Sequence, residues 1–205
     1  MLFFLISLMI PSHESFIYQT NDKGKLGTLT VTLNKDSVGY RVRYVSDRLI
    51  DVIIDTVDFR TLYVYKLVKG KWELSIERRN KFMVNFKGRK TSYEEKGPIF
   101  DRHTLDFVLR GFNYTKDFKH RIRLNVPEFM VINADLSVIG AEVIDTPVGE
   151  LSCWKVMMMP RVIFVKMKFY FWIEKEFPHR FAKYADSSGK NQILLVEYSM
   201  DDEEQ

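Results

Sequence analysis

Cysteine and histidine are scarce in this sequence of 205 residues, which has one cysteine, Cys153, and four histidines. A single cysteine excludes an intrachain disulfide, and the scarcity of both residue types excludes the usual Cys/His zinc clusters. The sequence also lacks a glycine-rich phosphate loop and a Gly-x-Ser-x-Gly elbow. We therefore expect no metal site, no cofactor and no enzyme of those classes.

Long apolar runs are also missing. The longest, Leu2 to Ile10, stops at Pro11 and is much shorter than the ~18 residues that a membrane-spanning helix needs. We expect no transmembrane span in the mature chain. Hydrophobic residues make up 46% of the sequence and charged residues 28%, which is too apolar for a disordered chain and predicts one folded domain.

The N-terminus resembles a short secretory signal, with an apolar run, a proline and then small and polar residues. No Lys or Arg precedes the run and the cleavage pattern is poor, so an N-terminal strand packed in the core is the alternative. We interpret residues 1–15 as a signal peptide, 16–198 as a single β domain and 199–205 as an acidic flexible tail. This interpretation predicts an exported protein.

The net charge is +4, and Lys and Arg are spread along the chain in twos and threes. A basic surface attracts phosphate groups of nucleic acids or of lipids, and charge alone does not choose between them. No helix-turn-helix, zinc finger or aromatic RNA-binding motif accompanies the charge. We expect no nucleic-acid partner.

Alternation of apolar and polar residues dominates the chain, as in Leu29, Val31 and Leu33, which are separated by threonines. A period of two is typical of strands with one face on the core. Short polar turns between the segments favour antiparallel neighbours. Strands are predicted at 26–33, 40–44, 49–55, 62–68, 72–77, 82–86, 120–126, 129–135, 138–144, 151–159, 162–174 and 191–198.

One segment has a helical period instead. Leu105, Val108, Leu109 and Phe112 lie at i, i+3, i+4 and i+7 after Asp101. This pattern predicts a helix over 102–110 with Asp101 as its N-cap, docked on the sheet through the apolar stripe. The predicted fold is mainly β: one antiparallel meander sheet with one central α-helix.

Charged residues on this helix allow two interpretations. His103 and Asp106 are three residues apart and can share a face, but acid-base catalysis would also need a pocket and a nucleophile. A ladder of Arg102, Asp106 and Arg110 explains the same residues without catalysis. We therefore predict the ladder.

Segment 162–174 has more apolar surface than one core face needs. One predicted face is a complete core row from Ile163 to Ile173, and the other mixes aromatic side chains with lysines. Such a mixed face suits an amphiphile with an apolar body and an anionic head. A strand pair that is buried on both faces is the alternative. The candidate ligand site consists of Phe164, Lys166, Lys168, Tyr170 and Trp172, with Trp154 and Met158 on the preceding strand.

Three stretches together resemble an uncharacterised family of exported bacterial proteins, the domain of unknown function 3108. They are an aspartate-led helix ending in Leu109 and Arg110, a Thr-Pro-x-Gly turn at 146–149, and a tryptophan strand at 171–174 followed by Phe177 and Pro178. The order and spacing of these stretches extend the resemblance over about residues 16–198. The weak export signal departs from the family's usual N-terminus.

The resemblance implies a strongly curved antiparallel sheet, a half-barrel or open barrel, in an exported protein whose activity is not established. By analogy of shape it is also similar to half-barrel lipoprotein carriers of the bacterial envelope. We expect a non-enzymatic periplasmic or secreted protein that binds a lipid-like amphiphile in a groove of the curved sheet. An interaction or assembly protein that holds another envelope protein is the alternative.

Overall fold

The computed structural model describes residues 10–162 and 167–201, which form one sheet of fifteen strands. The strands of the N-terminal arm are β1 (His13–Asp22), β2 (Lys25–Lys35), β3 (Tyr40–Val45), β4 (Arg48–Ile54), β5 (Thr61–Val68), β6 (Lys71–Arg78), β7 (Phe82–Phe86) and β8 (Arg89–Tyr93). Those of the C-terminal arm are β9 (Ile99–Asp101), β10 (Lys119–Val126), β11 (Met130–Thr146), β12 (Gly149–Pro160), β13 (Phe169–Glu174), β14 (Phe181–Asp186) and β15 (Asn191–Met200).

The two arms are meanders that meet where β1 pairs with β15. Each arm runs outward from this central pair, so the sheet ends at β8 on one side and at β9 on the other, and it is not closed. Neighbouring strands are antiparallel, with the exception of β9, which pairs in parallel with β10. The predicted antiparallel meander is confirmed, with this parallel edge as the difference.

The alternation of apolar and polar residues in the sequence corresponds to an alternation of buried and exposed side chains in the strands. In β3, Tyr40, Val42 and Tyr44 are buried while the residues between them are exposed. The exposed Arg43 forms an ion pair with Asp51, its register partner on β4. One face of the sheet therefore lies on the core and the other carries charges, as the period of two predicts.

The helical segment lies between β9 and β10 in sequence and packs against both arms. It consists of a 3-10 turn (Arg102–Thr104), the α-helix α1 (Leu105–Val108) and a second 3-10 turn (Leu109–Gly111). The Asp101 carboxylate accepts a hydrogen bond from His103 N, so the predicted N-cap is confirmed. The side chains of the predicted stripe are all buried: Leu105, Val108, Leu109 and Phe112.

Aromatic contacts show that the sheet curves around this segment. The ring of Phe107 lies 5.0 Å from that of Tyr40 on β3, and Phe112 lies 5.3 Å from the ring of His120 on β10. A short segment can reach strands of both arms only if the sheet wraps around it. The fold is thus an open, curved sheet whose concave face is filled by its own helical segment.

The two predicted domain boundaries, at residues 15 and 198, fall inside the first and last strands. β1 begins at His13, so the boundary predicted at residue 15 lies inside this strand, and β15 ends at Met200, inside the predicted tail. Residues 1–9 and 202–205, which hold most of both predicted terminal segments, lie outside the described residues. No helix within the described ranges is long and apolar enough to cross a membrane.

Candidate functional site

The seven predicted site residues do not all lie together. Phe164 and Lys166 fall outside the described residues. Met158 is 4% exposed and belongs to the core, and Lys168 is exposed just before β13. Tyr170, Trp172 and Trp154 lie on the paired strands β12 and β13.

The single strand predicted over 162–174 is confirmed for Phe169–Glu174 and is wrong at Met167 and Lys168. β13 begins only at Phe169, and Met167, which was predicted in the core row, is 42% exposed. β12 ends at Pro160, whose ring leaves no backbone N–H to donate to a further neighbour. Lys168 is instead held by Ser187, whose backbone N–H donates to the Lys168 carbonyl oxygen at 2.9 Å.

The centre of the site is Trp172, whose ring lies between two ammonium groups. Lys155 on β12 and Lys183 on β14 are its register partners on the two neighbouring strands. Their Nζ atoms lie 4.9 Å and 5.0 Å from the centre of the Trp172 ring. Lys155 Nζ is also 5.6 Å from the ring of Tyr170. Each contact has the geometry of a cation–π interaction.

A carboxylate completes this arrangement. Glu142 on β11 accepts a hydrogen bond from the indole N–H of Trp172 at 2.8 Å and forms an ion pair with Lys155 at 2.7 Å. The hydrogen bonds from Lys155 and then Trp172 hold the pKa of Glu142 below its ordinary value. We call these five residues the lysine-tryptophan cluster: Glu142, Lys155, Tyr170, Trp172 and Lys183.

The cluster buries Trp172, which is 5% exposed although it does not share the core-facing side of Phe171. The alternative that this strand is buried on both faces therefore holds at Trp172, where the lysine side chains and Glu142 form the cover. The lysine stems supply apolar contact while their charged ends stay near water. The surface above the ring is cationic rather than apolar.

A second pair of the same kind lies one rung away, on the opposite face of these strands. Lys175 Nζ is 4.6 Å from the ring of Trp154, which pairs with Ile173, the residue after Trp172. Within residues 10–162 and 167–201, neither Lys175 nor Lys183 has a carboxylate at ion-pair distance. Two lysines beside tryptophan rings therefore keep their charge available to an anion.

Sequence reasoning missed Lys155, Lys175, Lys183 and Glu142. Their approach to the two tryptophans depends on the pairing of β11, β12, β13 and β14, and several residues separate them along the chain. The sequence did contain a signal for such charged neighbours, because apolar and polar residues alternate in these strands and charged residues occupy some of the polar positions. The register that aligns the charges with Trp172 is set by turns and bulges, which the alternation does not reveal.

The charges of the helical segment do not form the predicted ladder of Arg102, Asp106 and Arg110. Arg102 forms an ion pair with Glu128, and Asp106 accepts a hydrogen bond from the hydroxyl of Tyr44 at 2.8 Å. The prediction is wrong because the segment is a short helix between two 3-10 turns packed inside the sheet, so its polar groups meet strands rather than one another.

His103 does not meet Asp106 either. Its Nδ1 lies 2.7 Å from the carboxylate of Asp101, which also accepts a hydrogen bond from Asn125 at 2.7 Å. Burial opposes ionisation of Asp101, but His103 and the further hydrogen bonds hold its pKa below the ordinary value. These contacts fix the start of the helical segment against β10.

Cys153 is fully buried, in agreement with its interpretation as a small core residue. Burial raises the pKa of its thiol to about 12, so the reactive thiolate is suppressed at neutral pH. Across the described part of the chain, no three His, Cys, Asp or Glu side chains are grouped so that they could hold a metal ion.

Comparison with known structures supports the fold. The crystal structure of a β-barrel-like protein of domain of unknown function DUF1849 from Brucella abortus has a TM-score of 0.60 and 11% sequence identity, covering 94% of this chain and 99% of that chain. At this identity the likeness shows the fold alone.

Two further structures are similar at lower scores. The lipoprotein LppX of Mycobacterium tuberculosis has a TM-score of 0.29 and 14% identity, covering 90% of this chain and 84% of its own. A DUF1329 family protein from Desulfovibrio piger has a TM-score of 0.32 and 9% identity, covering 96% of this chain and 89% of its own. Neither score is high enough to support an argument about this chain.

Family membership follows from the sequence. No curated protein matches the chain. The family model described as "Protein of unknown function (DUF3108)" matches residues 27–196, a range that includes the helical segment and the whole lysine-tryptophan cluster. The resemblance found in three short motifs is therefore confirmed, and the chain belongs to the DUF3108 family.

Proposed function

We propose that this protein is a non-enzymatic protein of the bacterial envelope that binds an anionic amphiphile at the lysine-tryptophan cluster. The observation that carries the proposal is the position of two ammonium groups beside Trp172, at 4.9 Å and 5.0 Å from the centre of its ring. Two cations held by one ring form a preorganised site for an anionic head.

Charge balance favours an anion at this surface. Glu142 forms an ion pair with Lys155 and attracts Lys183 at longer range, but Lys183 has no carboxylate at ion-pair distance among the described residues. Lys168 is exposed at the start of β13 and adds a further positive charge close to Tyr170. A phosphate or carboxylate that approaches these lysines replaces water as their partner, which is most favourable where aromatic rings lower the local polarity.

The apolar part of an amphiphile also finds contacts on these strands. Tyr170 is half-buried beside Trp172, with ring centres 6.4 Å apart. Two large apolar side chains of β11 and β12 are exposed: Ile139 and Met159. Exposed apolar side chains beside cations are typical of surfaces that meet lipid.

The place of binding differs from the groove expected at first. The concave face of the sheet is filled by the helical segment, and Met158 is part of the core beneath it. The cluster is built instead from register partners on the opposite face of β12, β13 and β14. The proposed amphiphile therefore binds on the outer surface of the C-terminal arm.

Tryptophan fluorescence tests this proposal directly. The intact protein is titrated with lysophosphatidylglycerol and with lysophosphatidylcholine, both below the concentrations at which they form micelles. We expect a saturable change with the anionic lipid and a much weaker one with the zwitterionic lipid. The double variant Lys168→Gln, Lys183→Gln should bind the anionic lipid at least about tenfold more weakly.

The matched control is Lys25→Gln, Lys71→Gln, which removes the same charge from exposed positions of the N-terminal arm. It should bind as the unmodified protein does. An equal loss of lipid binding in both double variants would mean that binding depends only on the net charge of the protein. No saturable change with either lipid would reject the proposal in favour of a protein partner.

A further inference from the structure

One end of the sheet is formed by turns between antiparallel strands. Because the direction of the strands alternates, every second turn of each arm lies at this end. Six of these turns lie wholly within the described residues: β1–β2, β3–β4, β5–β6, β7–β8, β10–β11 and β14–β15. We call these six turns, with up to two strand residues on each side of every turn, the basic rim.

Hydrogen bonds bring the turns of the rim together. The backbone N–H of Lys23 donates to the carbonyl oxygen of Lys190 at 2.8 Å, which joins the β1–β2 turn to the β14–β15 turn. The guanidinium of Arg89, next to the β7–β8 turn, donates to the carbonyl oxygen of Pro127 at 3.3 Å. This second bond crosses from the N-terminal arm to the C-terminal arm, so the two arms meet at the rim on the open side of the sheet as well as at β1 and β15.

Positive charge dominates the rim. Six exposed cations there have no carboxylate at ion-pair distance among the described residues: Lys23, Lys25, Lys69, Lys71, Arg89 and Lys190. Two of the exposed rim carboxylates already have partners, since Asp47 pairs with Arg48 and Glu128 with Arg102. Asp22 is the one exposed rim carboxylate without an ion pair in the described part of the chain. The rim therefore offers an excess of positive charge to an external anion.

Large apolar side chains are exposed among these cations. Five of them, between 38% and 65% exposed, lie on the rim: Leu26, Val45, Trp72, Phe129 and Met130. Exposed apolar residues interspersed with lysines are typical of surfaces that enter the interface of a lipid bilayer. A tryptophan such as Trp72 suits this place, because tryptophan rings concentrate at the level of the lipid headgroups.

We propose that the basic rim docks on the surface of a lipid bilayer that contains anionic lipids. The lipid phosphates attract the lysines, and the apolar side chains insert among the acyl chains. Nucleic acid fits this surface less well, because Leu26, Val45 and Met130 have neither hydrogen-bonding groups for base edges nor rings for stacking. The inference does not rest on the amphiphile site, since the lysine-tryptophan cluster shares no residue with the rim.

Co-sedimentation with lipid vesicles tests this proposal. The full chain is mixed with vesicles of equimolar phosphatidylglycerol and phosphatidylcholine, or with vesicles of phosphatidylcholine alone. We expect binding to the anionic vesicles and much weaker binding to the zwitterionic ones. The rim variant Lys25→Gln, Lys71→Gln should bind the anionic vesicles at least about tenfold more weakly. Phe129→Ser should bind them at least about threefold more weakly, because it removes an apolar contact and leaves the charge unchanged.

Matched controls lie at the opposite end of the sheet. Lys116→Gln, Lys119→Gln removes the same charge from exposed positions. Phe177→Ser removes a ring that is 53% exposed, against 52% for Phe129. Both controls should bind vesicles as the unmodified protein does. The proposal is overturned if the rim variants bind as tightly as these controls, or if phosphatidylglycerol makes no difference to binding.

Two further outcomes separate this proposal from the amphiphile site. Lys25→Gln, Lys71→Gln should still bind single lysophosphatidylglycerol molecules, because below the micelle concentration there is no bilayer surface for the rim to contact. Vesicle binding that is lost from Lys168→Gln, Lys183→Gln and kept by the rim variants would place the membrane contact at the cluster and overturn docking at the rim alone. Binding to a DNA duplex, with none to vesicles, would overturn it in favour of a nucleic-acid partner.

Discussion

The guanidinium of Arg110 lies 2.9 Å from the carboxylate of Glu14, and both side chains are almost completely buried, 3% and 0% exposed. This ion pair joins the end of the helical segment to β1, the central strand of the sheet. Arg110 also donates hydrogen bonds to the carbonyl oxygens of Pro178 and His179, each at 3.0 Å. One side chain therefore connects the helical segment to the β13–β14 connection as well as to β1.

Arg110→Met should destabilise the protein by about 3–5 kcal/mol, because it leaves the Glu14 carboxylate buried without its partner. Urea unfolding measures the change. Arg121→Met is the control, since Arg121 pairs with Asp135 on the surface and should cost at most about 1 kcal/mol. A loss for Arg110→Met as small as that of the control would show that the buried pair does not hold the segment.

Asp106 should make stability depend on pH. Burial raises its pKa to about 6 in the folded protein, above the value of about 3.9 for an unfolded chain. The folded state then binds more protons between these values, so this group's contribution to stability falls as pH rises from about 4 to about 6 and is constant above that range.

Asp106→Asn removes this titration and keeps an acceptor for the Tyr44 hydroxyl. The variant should therefore be more stable, relative to the unmodified protein, at pH 7 than at pH 4. Urea unfolding at both pH values measures the difference. The same relative stability at both would contradict the raised pKa.

Gly111→Ala should destabilise the protein by about 1–3 kcal/mol because of overpacking. A Cβ at this position would lie 2.8 Å from the buried ring of Phe59. Gly140→Ala is the matched control, since a Cβ there meets no atom within 4 Å. Thermal unfolding of the two variants compares them, and equal melting temperatures would mean that Phe59 moves aside at little cost.

Leu109→Ala should cost about 2–5 kcal/mol, because Leu109 is 0% exposed at the contact between helical segment and sheet. Leu26→Ala, at a position that is 65% exposed, should change stability by less than about 0.5 kcal/mol. Denaturant unfolding distinguishes the two. A small effect at both sites would mean that the segment does not contribute to the folded core.

Local patterns predicted much of this fold. The alternation around Tyr40 to Tyr44 and the helical spacing from Leu105 to Phe112 both appear in the structure as expected. Each pattern depends on a few neighbouring residues, and burial of one face is its direct consequence. The Asp101 cap is equally local, since it needs only a carboxylate two residues before His103 N.

Contacts between distant residues escaped prediction. Glu14 and Arg110 are 96 positions apart, and the sequence pattern placed Glu14 inside a signal segment. Lys155 and Lys183 reach Trp172 only through the register of three strands, one of which shifts by a bulge next to Trp172. Such positions depend on turns and bulges between strands, for which the hydrophobic pattern carries little information.

Native mass spectrometry of protein purified from its source organism without detergent tests the central claim most directly, because it detects a bound amphiphile and gives its mass. We predict an adduct with the mass of an anionic lipid-like molecule, and we predict that it is lost from the Lys168→Gln, Lys183→Gln variant and kept by Lys25→Gln, Lys71→Gln. Protein without any such adduct, or the same adduct in both variants, would contradict binding at the lysine-tryptophan cluster.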